Sequence, residues 1–271
     1  MLTKQIKFYI EFNQLLSPFQ SGFRSSKSIQ TAVLNLSEYI RMEVDNGNVV
    51  IAVFFDIKIA FDNINHLIIL KELLKLGFDA PSLKLIWSYL SGRRQRVVGK
   101  DGSYSSISST SSGVPQGSSP GPILFLAIIN RLRDHLKACK NFHGLFADDL
   151  EIHLSCKLCD LNVTIEILNN EIQNLILGLD LNDKKTEAII FGSKYNMSLI
   201  KNRFVHPIRV NNALIEFKNV VKYLGINLTS TLSWDTQVNN ISRKVHYTLH
   251  RLRASCLTIL FYSILYEFVT L

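Results

Sequence analysis

The chain has 271 residues, 47% of them hydrophobic, which excludes a disordered polypeptide and leaves ample length for a buried core. A balance of 30 Lys+Arg against 22 Asp+Glu gives a net charge of +8, which favours an anionic partner, nucleic acid above all. The 4 Cys are too few for a disulfide scaffold and point to a reducing compartment.

In chain order, "MLTKQIKFYIEF" is broken by Lys4, Lys7 and Glu11, so it lacks the apolar run of a signal peptide. "SSKSIQTAVLNLSEYIRMEV" offers Ser caps, then Ile29, Val33, Leu36 and Ile40 at helical spacing. "NVVIAVFFDI" (48–57) is a nearly continuous β-branched and aromatic run and predicts a central strand. "HLIILKELLKLG" and "PSLKLIWSYLSG" predict two helices, each closed by Gly, the second opened by Pro81. "RRQRVVGKDGSYSSISS" predicts a hairpin around Asp101-Gly102. "GVPQGSSPGP" (113–122) predicts a loop, and "ILFLAIINRLRDHL" a helix after it. "HGLFADDLEIHL" predicts a hairpin with Asp148 and Asp149 at its turn. A helix over about 160–178 and the strand "KTEAIIFG" follow, then "IRVNNALIEF" and the hairpin "VVKYLGINL". The last helix starts near Trp234; its apolar end, "SCLTILFYSILYEFVTL", is short of a membrane span and carries Glu267, so no membrane contact is expected. There are no repeats, and the mixture predicts an α+β fold with a mostly antiparallel sheet.

Two acidic features stand out. Asp148 and Asp149 place like charges side by side, which a solvated turn or a bound cation would explain. Asp56 follows Val53, Phe54 and Phe55 at the tip of a buried strand, where an ionised carboxylate is costly unless paired or coordinated. If the two elements are neighbours in one sheet, three carboxylates converge on a site suited to two Mg²⁺ ions.

The order of six blocks goes further. "SGFRSSKSIQTAVL" (21–34), "AVFFDIKIAFDNINH" (52–66), "SGVPQGSSPGPILF" (112–125), "LFADD" (145–149), "LNDKKTEAIIF" (181–191) and "KYLGINLTSTLSW" (222–234) succeed one another. Over roughly residues 17–250 this resembles the reverse transcriptases of non-LTR, LINE-like retrotransposons of insect type. The resemblance implies a right-hand polymerase fold of fingers, palm and partial thumb, acting as an RNA-directed DNA polymerase. Its implied cofactors are two Mg²⁺ ions; its implied partners are an RNA template, a DNA primer and dNTP. It implies metal binding by Asp56, Asp148 and Asp149. Phe61 matches the bulky residue that screens the 2′-position of the incoming sugar, and Ala60 lets the sugar approach. Gln116 matches a contact to the incoming nucleotide, in a loop that Gly113 and Gly117 free to pass close to it. Arg24 resembles an arginine facing the triphosphate, and Lys185 a lysine able to protonate the leaving pyrophosphate.

The chain departs from the family at Ser119-Pro120, where Val-Leu is usual, at Ile59, where Lys is common, and after Trp234, where His is usual. None of these removes a metal ligand. The expected organisation is a polymerase domain over 1–250, with the thumb starting near 234, and a truncated apolar helix over 251–271. No endonuclease segment precedes the fingers motif, so a fragment or degenerate copy is expected, working in the nucleus and cytoplasm. The alternative is an inactive relic that only binds nucleic acid. The cluster "GRRQR" (92–96) with Lys100 fits template or primer phosphates, and equally a plain basic hairpin. Cys156-x-x-Cys159, with His153 and Cys139 nearby, offers zinc ligands, but the second ligand pair lacks the standard spacing of a zinc site.

Overall fold

The computed structural model describes residues 2–57, 64–110, 112–115, 117–132, 136, 143–176 and 181–269. Helix α1 (Leu2–Phe12) and helix α2 (Ile29–Asp45) precede the first strand. The predicted Ser cap is present: Ser28 Oγ accepts from Thr31 N at 3.3 Å, and Ser28 N donates to Thr31 Oγ1 at 2.9 Å. Strand β1 is Val49–Asp56. Helices α3 (His66–Lys75) and α4 (Ala80–Leu90) stop before Gly77 and Gly92, whose φ of 87° and 68° make the turns that end them. Strands β2 (Arg94–Gln95) and β3 (Ser108–Ser109) form the basic hairpin predicted around Asp101-Gly102.

Helix α5 (Gly121–Ile129) is buried on nearly every side, as an all-apolar helix must be. Pro120 does not disturb it, because Leu124 N still donates to Pro120 O at 3.1 Å. Strands β4 (His143–Phe146) and β5 (Asp149–Cys156) form a hairpin with a two-residue loop. Helix α6 (Leu161–Ile176), strand β6 (Glu187–Phe191) and helix α7 (Lys194–Ile200) follow. Five short strands complete the β structure: β7 (Ile208–Val210), β8 (Ala213–Ile215), β9 (Phe217–Lys218), β10 (Val220–Tyr223) and β11 (Ile226–Thr229). Helix α8 (Asp235–Val269) then runs without a break through the boundary expected at 250. Among the described residues no helix is long and apolar enough to cross a membrane.

The central sheet has the order β4-β5-β1-β6-β9, antiparallel except between β6 and β9. Strand alternation sends Val49, Ile51, Val53 and Phe55 to one face, against a core that includes residues of α1 and α3 to α6. Val50, Ala52 and Phe54 go to the other, with Val33, Leu36 and Ile40 of α2 and Val221, Tyr223 and Leu228 of the β10–β11 hairpin. Burial on both faces is why β1 reads as an unbroken apolar run.

Candidate active site

Alternation carries Asp56 onto the face of Val50, Ala52 and Phe54, one step past the apolar contacts that cover them. The antiparallel register sets Asp149 directly across from it. Paired residues of neighbouring strands share a face, so two carboxylates sit side by side with no ladder position between them. Asp148 is the second residue of the loop between Phe146 and Asp149, and both aspartates are exposed. The backbone register thus brings Asp56 and Asp149 together, with Asp148 in the adjoining loop.

The "LNDKK" segment closes the other side. Asn182 N donates to Asp56 O at 3.0 Å, and Asn182 Nδ2 donates to Asp56 Oδ2 at 3.1 Å. Lys185 Nζ forms an ion pair with the same Oδ2 at 3.1 Å. Lys185 is well exposed, so this pair orients the carboxylate more than it stabilises the fold. The sequence reading anticipated Lys185 near the site and missed Asn182, whose signal was its place in the same block.

Asp149 carries the electrostatic consequence. Desolvation, then the charges of Asp148 and Asp56, push its carboxyl from 3.8 up to about 6, with Lys185 pulling the other way. The unfolded chain ionises first as pH rises, so this group's penalty on the metal-free fold appears across roughly pH 4 to 6 and persists above. Asp149→Asn should thus raise the melting temperature in EDTA at pH 8 by a few degrees, about 1 kcal/mol after solvent screening, and change it little at pH 4. Thermal melts followed by circular dichroism check this. An equal shift at both pH values would mean that the charge of Asp149 is not what weakens the fold.

The donor set suits a hard divalent cation: carboxylate oxygens only, held together against their repulsion. Asp56, Asp148 and Asp149 are the residues that would hold it. Among the described residues no group of three or more His, Cys, Asp or Glu side chains is arranged to hold a metal ion by itself.

The other anticipated residues fall in different places. Gly117 has φ 74°, and no heavy atom lies within 4 Å of where its Cβ would stand, so the loop leaves open space there. That loop is tied to the segment after β1: Gly113 N donates to Ile64 O at 2.7 Å, and His66 Nε2 meets Gly113 O at 2.8 Å. Arg24 is not brought to the carboxylates. Its guanidinium is spent on Glu11, with Nη2 to Oε2 at 2.6 Å, and on the Ser17 carbonyl at 2.9 Å. Ala60, Phe61 and Gln116 lie outside the described residues. Arg93 and Arg94 of the basic hairpin line a cavity of 880 Å³ with Gly113, Val114 and Pro115. Cys156 and Cys159 carry free thiols, and His143 and His153 are strand residues of the hairpin; Cys139 lies outside the described residues.

A buried polar layer flanks the site and was not anticipated. Glu151 Oε2 meets His153 Nδ1 at 2.8 Å on the face that carries Asp149. Tyr223 of the "KYLG" block packs on Phe54 with ring centroids 5.0 Å apart. Burial, then Glu151 and Asp149, drive its hydroxyl well above the ordinary tyrosine range, so it stays neutral.

A family model described as "Reverse transcriptase (RNA-dependent DNA polymerase)" matches residues 1–228. The probable RNA-directed DNA polymerase from transposon BS of Drosophila melanogaster is 28% identical over 255 residues, 89% of this chain and 27% of that protein. The Pol polyprotein from type-1 retrotransposable element R1 of Bradysia coprophila is 30% identical over 81% of this chain and 21% of its own length. This chain thus spans about a quarter of the length of these two relatives. The telomerase of Candida albicans, solved with a fragment of telomeric RNA, aligns with a TM-score of 0.58 and 14% identity over 86% of this chain and 38% of that one. That likeness shows the right-hand polymerase fold. Motif order, fold and the insect retrotransposon relatives agree, and the chain belongs to the reverse transcriptase family, in its non-LTR retrotransposon branch.

Proposed function

We propose that the chain is the catalytic part of an RNA-directed DNA polymerase, extending a DNA 3′-hydroxyl along an RNA template with dNTP. The observation that carries this is the register of Asp56 against Asp149, with Asp148 in the adjoining turn. Two Mg²⁺ ions, when bound, would activate the primer hydroxyl and neutralise charge on the leaving pyrophosphate. The chain's own residues do the positioning. Asn182 and Lys185 fix the Asp56 carboxylate, and Lys185, exposed at the rim, supplies a proton to pyrophosphate. Arg93 and Arg94, beside the Gly113 loop, fit phosphates of the template strand. The polymerase unit is taken as 1–250, and its place of work as nucleus and cytoplasm.

Primer extension on poly(rA)–oligo(dT) with dTTP and Mg²⁺ tests the reading. Template-dependent incorporation is expected; salt-sensitive duplex binding without incorporation would replace the polymerase by a binding relic. Phe61 is proposed as the sugar gate, with Ala60 beside it, and Gln116 and Gly117 as nucleotide contacts. Phe61→Ala should then admit rNTP, cutting the ratio of dTTP to rUTP kcat/KM by about 10²-fold. An unchanged ratio would remove Phe61 from that role.

A further inference from the structure

The residues that lead into "SGFR", and its first residue, are built into the turn that carries Asp148. Phe19 to Ser21 lie along the outer edge of β4: Leu145 N donates to Phe19 O at 3.1 Å, and Ser21 N donates to Leu145 O at 2.7 Å. That pairing delivers Gln20, only 3% exposed, to the loop ahead of Asp148. The loop's first residue, Ala147, is buried and has φ 57°, a left-handed conformation that costs a side-chain-bearing residue about 1 kcal/mol. Gln20 Oε1 accepts from Ala147 N at 3.2 Å and from Gly22 N at 2.7 Å, while Gln20 Nε2 donates to Ala147 O at 3.5 Å. One amide therefore serves both peptide groups of the strained residue. Two N–H donors facing Oε1 also fix which way the amide points, since a flipped amide would set donors against donors.

We propose that Gln20 is a positioning residue of the polymerase site, holding the Ala147 peptide so that Asp148 and Asp149 keep their direction. The requirement for Gln follows from chemistry. The position needs an acceptor and a donor at the end of a two-methylene arm; Glu lacks the donor, and Asn is one carbon short. The brace also reaches away from the turn, because Arg24 Nη1 donates to Gln20 O at 3.4 Å while its Nη2 holds Glu11. On this view Arg24 stiffens the segment that presents Gln20. Without the amide, Ala147 is free to relax toward ordinary φ, which swings the carboxylates; displacements near 1 Å cost about 10²-fold in rate.

The inference rests on the polymerase reading of the carboxylates, and its test separates the two. Wild type, Gln20→Met and Gln20→Glu are compared in primer extension, and Mn²⁺ binding to the nucleotide-free protein is followed by electron paramagnetic resonance. Gln20→Met should lower kcat by about 10²-fold with KM for dTTP and duplex affinity within about twofold of wild type, and raise the half-saturating Mn²⁺ about tenfold. Gln20→Glu, which keeps the acceptor and loses the donor, should fall between the two. A kcat within twofold of wild type, or losses that follow duplex affinity and melting temperature instead of kcat, would overturn the role. If Gln20→Met does not fold, Gln20→Glu decides by the same criteria. A wild type that never incorporates would overturn the polymerase reading, whereas superimposable Mn²⁺ curves would overturn the brace whatever the activity.

Discussion

Asp56→Asn and Asp148→Asn are each expected to lower template-directed incorporation by about 10³-fold or more, with the fold and duplex binding retained. The physical reason is charge, not shape. At position 56 an asparagine keeps an oxygen able to accept from Asn182 Nδ2, so the strand tip stays ordered. What disappears is the negative charge that faces Lys185 and, directly across the ladder, Asp149. At position 148 the side chain is exposed in the turn and supports no packing. Single-turnover extension of poly(rA)–oligo(dT), beside a filter-binding titration of the same duplex, separates chemistry from binding. Incorporation within tenfold of wild type by both variants would move the active site elsewhere.

Gly22→Ala should be nearly as damaging by a different route. A Cβ on Gly22 would lie 2.2 Å from Ala147 N, 2.9 Å from Ala147 Cα and 3.0 Å from Phe146 C. All three are backbone atoms of the turn that carries Asp148, so no side chain can rotate away. The hairpin or the 19–22 segment must shift, at a cost of about 1–3 kcal/mol in stability and about 10²-fold in kcat. Gly47→Ala supplies the comparison: φ is 77° with no atom within 4 Å, so it should lose roughly 1 kcal/mol of stability and no activity. Thermal melts and steady-state kinetics on the pair check this. Equal kcat in the two variants would mean that the close approach of Gly22 has no bearing on the carboxylates.

Much of the fold was legible from residues alone. The run from Val49 to Phe55 announced a strand buried on both faces, and Ser28, Pro81, Gly77 and Gly92 marked helix ends correctly. Asp148 and Asp149 announced a turn because few other arrangements tolerate adjacent carboxylates between apolar strands. Arg24 shows where such reading stops. A guanidinium can meet a triphosphate or a carboxylate equally well, and only the fold reveals that Glu11, on the first helix, is paired with it. Asn182 was overlooked for a similar reason, since a polar residue beside two lysines looks like surface until β1 and β6 pair.

The sequence by itself determined the local elements, the family to which the chain belongs, and which side chains carry charge, because periodicity, caps and motif order are properties of neighbours along the chain. The tertiary structure decided everything that depends on register and on distant segments. It set Asp56 opposite Asp149, gave Asp56 its Asn182 and Lys185 partners, and brought Gln20 and Gly22 against a turn more than a hundred residues away. A one-residue slip in the pairing of β1 with β5 would have left the same carboxylates on opposite faces of the sheet, and no pattern along the chain distinguishes those two outcomes.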